Sequence, residues 1–114
     1  MTVCYFVRYE IVPSNEKAFL EHYKTRHVPI LARWPGMRRV VLHTSVASKD
    51  SFPVNEGRTF LLAQLEFESQ ADLENAMQSP QRAEARLDFQ KFPPFEGPVT
   101  HQAMTSDEAW RRDS

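Results

Sequence analysis

Residues 2–11, TVCYFVRYEI, are dominated by β-branched and aromatic types, the composition of a half-buried strand. Pro13 and Ser14-Asn15 then mark a break and a helix start. From 15 to 27 the large apolar residues Phe19, Leu20 and Tyr23 recur at helical spacing, with His27 one turn beyond Tyr23 on the same face. Pro29 has no amide hydrogen and crowds the preceding turn, so the helix is expected to end or kink near His27. Ile30 to Trp34 should add a short turn before Pro35-Gly36, and MRRVVLH, 37–43, reads as a second strand. Residues 44–58 lack periodicity and carry Ser, Asn, Gly and Pro, the signature of a long exposed loop. In TFLLAQLEF, 59–67, Leu61, Ala63, Leu65 and Phe67 share one face and Phe60, Leu62, Gln64 and Glu66 the other. Ser69 and Ser79-Pro80 suit the starts of two helical pieces, 70–78 and 80–90, and PVTHQAM, 98–104, reads as a fourth strand.

The resulting βαββαβ order predicts an α+β, ferredoxin-like fold: a four-stranded antiparallel sheet with both helices on one face. One domain should span 1–105, followed by a polar tail over 106–114. The opposite sheet face would leave Phe6, Phe60 and Leu62 in water, a larger apolar patch than a soluble monomer usually exposes. Two copies packed sheet to sheet would cover it, so a homodimer is expected, enclosing an apolar, barrel-like interior with a few polar groups.

Composition narrows the partners. The 114 residues include 14 basic and 15 acidic side chains, a net charge of −1 without a long run of either sign. No field suited to a phosphate backbone or an anionic membrane results, which argues against nucleic acid and membrane partners. The single cysteine, Cys4, has no intrachain partner and suits a reducing compartment, so a cytoplasmic location is expected. The N-terminus MTVCYFVRYEIVP is too short and too alternating for a signal-peptide core, and no apolar stretch is long enough to span a bilayer.

Four histidines are the natural candidates for chemistry. His22 and His27 lie five residues apart, about 500° of α-helical rotation, which would point them about 140° apart and prevent them from sharing a metal. His43 and His101 fall on the two sheet edges. A single histidine suffices for proton transfer, however, and His27 at a helix terminus beside a cavity is the candidate acid/base. The alternative is that His27 caps its own helix. Gln64 and Glu66 should look into the barrel, and Arg8, placed on the same face, either pairs with Glu66 or anchors a carboxylate or enolate oxygen. Tyr23 and the other tyrosines serve as core or as hydrogen-bond donors to a carbonyl, and Trp34 as packing or a lid. With Phe60 on the barrel face, the candidate substrate-binding set is Arg8, Gln64, Glu66, Tyr23, Phe60 and Trp34. No G-x-S-x-G elbow occurs, and the three glycines form no phosphate-cradling loop, so no cofactor is expected.

The pattern Phe19, Tyr23, His27-Val28-Pro29 and then Pro35-Gly36-Met37-Arg38 resembles the EthD-like family of dimeric α+β-barrel proteins. The likeness continues through LLAQLEFESQADLENAMQSPQRAEARLDFQKF and covers roughly residues 3–104. The loop over 44–58 is longer than a minimal member needs. The resemblance implies a small dimeric protein of a catabolic or polyketide pathway, and the wider group includes isomerases, cyclases, cofactor-free oxygenases and haem enzymes. Two functions follow. One is a cofactor-independent enzyme using His27 on a small, mostly apolar carbonyl, lactone or aromatic compound, of isomerase, cyclase, dehydratase or oxygenase type. The other is a non-catalytic ligand-binding or accessory protein with the same cavity.

Overall fold

A computed structural model describes residues 2–52 and 54–113. In chain order the elements are β1 (Thr2–Tyr9), β2 (Val12–Pro13), α1 (Glu16–His22), a π turn (Tyr23–His27), α2 (Val28–Ala32), β3 (Arg39–Thr44), β4 (Leu61–Phe67), α3 (Gln70–Met77), α4 (Pro80–Phe89), β5 (Phe95–Glu96) and β6 (Val99–Ser106). β1, β3, β4 and β6 form one sheet in the order β3-β4-β1-β6, with every neighbouring pair antiparallel. This is the predicted ferredoxin-like α+β fold.

Local chemistry sets the helix starts where the sequence placed them. The Asn15 side chain accepts from the Ala18 amide at 3.0 Å, and the Ser69 and Ser79 hydroxyls accept from Asp72 and Arg82, each at 3.2 Å. Each satisfies an amide that a helix N-terminus would otherwise leave unpaired. Between β3 and β4 the described residues form no regular element, as expected for that loop.

Three details differ from expectation. First, of the two outcomes expected near His27, an end or a kink, the helix does not end there. It continues to Ala32 through the π turn, in which the Val28 amide donates to the Tyr23 carbonyl, five residues back. Pro29 would crowd the carbonyl of residue 25 in a regular α-helix, and widening the turn relieves that conflict without stopping the helix. Second, β1 stops at Tyr9, and Val12–Pro13 pairs instead with Phe95–Glu96 in a two-stranded ribbon. Gly97 follows with φ +117°, and a Cβ there would collide with the Glu10 carbonyl, so the ribbon depends on glycine. Third, Phe60 is not on the open face: it precedes β4 and packs edge-on against Phe19 of α1, ring centroids 5.7 Å apart.

Alternation divides the sheet. Tyr5 and Tyr9 of β1 pair with Leu65 and Leu61 of β4, and these, with Ala63 and Phe67, form the buried core under Phe19, Tyr23, Leu31, Leu73, Ala76 and Ala85 of the helical layer. Arg8, Gln64 and Glu66 stand on the other face. The expected Arg8 to Glu66 pair does not form, because in register Arg8 faces Leu62 while Glu66 faces Cys4, about 13 Å away along the strand. Arg8 donates to Thr59 Oγ1 at 2.6 Å, and Glu66 pairs with its cross-strand neighbour Arg39 at 3.3 Å. Among the described residues no helix is long and apolar enough to cross a membrane.

Candidate functional site

A cleft of about 450 Å³ opens between the sheet strands β1 and β6 and the helical layer formed by the π turn, α2 and α4. It lies on the helix side of the sheet, while a smaller pocket of about 250 Å³, lined by Phe6, Arg8 and Leu62, lies on the open face where the barrel interior was expected. Its floor is apolar, with Val7, Leu65 and Val99, and His27 forms part of its wall.

His27 is held by a residue of α4. Its Nδ1 lies 2.9 Å from Asp88 Oδ2, and the same carboxylate takes His22 Nε2 at 3.1 and 3.2 Å. The two imidazoles can converge on one carboxylate because an i→i+5 turn returns the chain to nearly the same face after five residues. The 140° divergence expected from α-helical rotation is thereby corrected. An ionised Asp88 only accepts, so His27 Nδ1 carries the hydrogen and Nε2 keeps its lone pair. The rings pack around Phe92, whose centroid lies 4.8 Å from that of His27 and 5.4 Å from that of His22. Although these donors now converge, among the described residues no group of three or more His, Cys, Asp and Glu side chains is arranged to hold a metal ion.

Burial lowers the His27 pKa below the ordinary imidazole value of 6.5, the Asp88 hydrogen bond and charge oppose that fall, and the nearby His22 adds to it. The ring is therefore neutral at pH 7, the state a general base requires. Tyr9 and Tyr23 meet at 3.5 Å between hydroxyls. Burial pushes Tyr9 up to about 12 and Tyr23 well above 10, so both remain protonated donors. Burial also raises Tyr5, with Arg82 and Arg86 opposing the rise.

Of the residues singled out in the sequence, the cleft gathers His27, Tyr23 and Trp34. Arg8, Gln64 and Glu66 are on the far side of the sheet, where Gln64 bonds His43 at 2.9 Å and Cys4 at 3.5 Å. They do not share a site with His27, and Phe60 does not line the cleft. Sequence reasoning missed Asp88, Arg82 and Arg86, and placed His101 on a sheet edge without assigning it to the cleft that it lines. A signal for Asp88 existed: three residues after the buried Ala85, it falls on the inward stripe of α4, where a carboxylate requires a partner.

No protein-family model matches the chain. An uncharacterized 11.0 kDa protein from the thcB-thcC intergenic region of Rhodococcus erythropolis is 35% identical over 80 residues, spanning 70% of this chain and 74% of that protein. The crystal structure of an ethyl tert-butyl ether d (EthD) family protein from Bacillus halodurans superposes with a TM-score of 0.75 at 25% identity, covering 94% of this chain and 100% of that one. The chain belongs to the EthD-like family.

The fold of this EthD-like protein is shared more widely. A dimeric ferredoxin-like protein of unknown function from Thermobifida fusca gives a TM-score of 0.64 at 8% identity over 93% of this chain and 92% of that one. SnoaB, a cofactor-independent oxygenase from Streptomyces nogalater, gives 0.62 at 15% identity over 97% and 98%. At such identities the likeness extends to the fold alone. What the EthD-like site can do chemically follows from its own groups: a neutral imidazole oriented by a carboxylate, tyrosine hydroxyls held protonated, and an apolar space in which both act away from bulk water.

Proposed function

We propose that this EthD-like protein is a cofactor-independent acid/base catalyst acting on a small, mostly apolar carbonyl, lactone or aromatic compound bound in the helix-side cleft. The observation that carries the reading is the 2.9 Å contact of Asp88 with His27 Nδ1 beside that cleft. Asp88 fixes the tautomer and favours the imidazolium that forms when Nε2 takes a proton from a carbon next to the carbonyl. His27 then returns the proton to another atom of the same molecule. Tyr23, packed 4.9 Å from His27 between ring centroids, adds a donor beside the reacting centre. That a solved structure of the same fold is a cofactor-independent oxygenase supports chemistry without a prosthetic group.

The protein acts in the cytoplasm as a homodimer in this reading, with the open faces of two sheets meeting. Support comes from half-buried Phe6 and Leu62 on that face and from a solved structure of the same fold that is described as a dimeric ferredoxin-like protein. Arg8, Gln64 and Glu66 then belong to the seam between protomers.

The test is loss of deuterium from α-deuterated lactones and cyclic ketones, followed by NMR. His27→Gln should slow catalysed exchange by about 10²–10⁴-fold while leaving the fold intact. Equal rates for wild type and variant would instead assign the cleft to ligand binding without catalysis.

A further inference from the structure

Two arginines in the cleft have no role in proton transfer. Arg82 and Arg86 sit one turn apart on α4, on the side that lines the cleft, where both oppose the rise in the Tyr5 pKa. Of the eight other arginines, four are held by carboxylates, and what sets Arg82 and Arg86 apart is that both line the cleft. Arg33, Arg38, Arg39 and Arg111 pair with Glu84, Glu68, Glu66 and Glu108 at 2.8 to 3.3 Å. Among the described residues neither Arg82 nor Arg86 has a carboxylate partner, and no aspartate or glutamate lines the cleft.

Trp34, 6% exposed, forms part of the same wall, and among the described residues its buried indole Nε1 has no hydrogen-bond acceptor, an unfavourable state for a native donor. The cleft therefore presents an apolar floor and two cations without a carboxylate partner, which an anionic ligand would complete.

We infer that the ligand of this cleft is an apolar ring or chain bearing an oxyanion, with the anionic oxygens held by Arg82 and Arg86 and the carbon acid presented to His27. The inference rests on the proposed catalytic reading of the cleft for the second half of that statement only. The anchoring role that the sequence suggested for Arg8 passes to α4. Guanidinium groups suit planar carboxylates through paired N–H donors, and the same pair would stabilise an enolate or phenolate oxygen.

Binding by titration calorimetry with 2-naphthoate, its methyl ester and 4-nitrophenolate tests this. The carboxylate should bind at least about tenfold more tightly than the neutral ester. Arg82→Gln and Arg86→Gln should each remove about tenfold from naphthoate affinity and leave the ester unchanged, while Arg33→Gln affects neither. Should the cleft variants fail to fold, the salt dependence of wild-type protein decides: added chloride should weaken naphthoate and not the ester. Preference for 4-nitrophenolate over naphthoate would identify the oxyanion as a ring oxygen and also support the inference. Equal, salt-independent binding of acid and ester would overturn it, even if His27 proves catalytic. Conversely, unchanged naphthoate affinity in His27→Gln, together with unaltered proton exchange, would sink the catalytic reading and leave the anion site standing.

Discussion

At Asp88 one carboxylate accepts from two imidazoles, and the consequences differ for the two rings. His27 alone lines the cleft, so its Nε2 is the atom offered to a ligand. Because burial lowers its pKa from 6.5, the base form should persist below that pH, and the acid limb of kcat/KM should lie on the acid side of 6.5. The same shift makes a stability prediction. Between the folded and unfolded pKa values only the unfolded chain binds the proton, so stability is complete above about 6.5 and declines as pH falls below it. His27→Gln should flatten that decline, read from urea midpoints measured at a series of pH values. Asp88→Asn removes the charge that raises the His27 pKa and weakens the hydrogen bond that does the same, and should move the acid limb still lower. The variant should also lose about 1–3 kcal/mol of stability in urea unfolding, since a mostly buried, charge-assisted pair of hydrogen bonds is weakened.

Among the elements, α4 carries Asp88, Arg82 and Arg86 together, so its N-terminus matters to the whole site. Ser79 accepts from the Arg82 amide and donates to the Ala76 carbonyl at 2.6 Å, joining the end of α3 to the start of α4. Ser79→Ala should cost about 1 kcal/mol of global stability, measured as a lower urea midpoint with unchanged slope. The caps at Asn15, Ser69 and Ser79 were legible in the sequence because each is a local contest between a side chain and three or four following amides. So were the strands, whose alternation of Leu61, Ala63, Leu65 and Phe67 admits one inward face. What was illegible depended on contacts far along the chain. The His27 to Asp88 bond joins residues 61 apart. The π turn that aligns His22 with His27 breaks the rotation that periodicity arguments assume, and the position of the cleft depends on how α4 settles over β1 and β6. Grouping Arg8, Gln64 and Glu66 with His27 assumed one cavity, whereas His27 lines the cleft on the helix side of the sheet and Arg8 a smaller pocket on the open face.

For the molecule as a whole, the sheet separates two tasks. On one face lie the core and the cleft, and on the other Phe6, Leu62 and the residues assigned to the protomer seam. Sedimentation at micromolar concentration should give a particle of twice 13.3 kDa. Leu62→Glu, which places a carboxylate on the open face, should shift that particle toward the monomer by burying a charge that lacks a partner. Proton exchange per chain should be unchanged in the monomeric variant, because Asp88, Tyr23 and Phe92, which pack around His27, belong to the same chain. The π turn adds a consequence for spacing. An α-turn brings residues four apart onto one face, as this turn does for residues five apart. Deleting one residue between Tyr23 and His27 should therefore restore an α-turn and keep both imidazoles on Asp88, so the shared carboxylate, rather than the interval between the histidines, defines the pair.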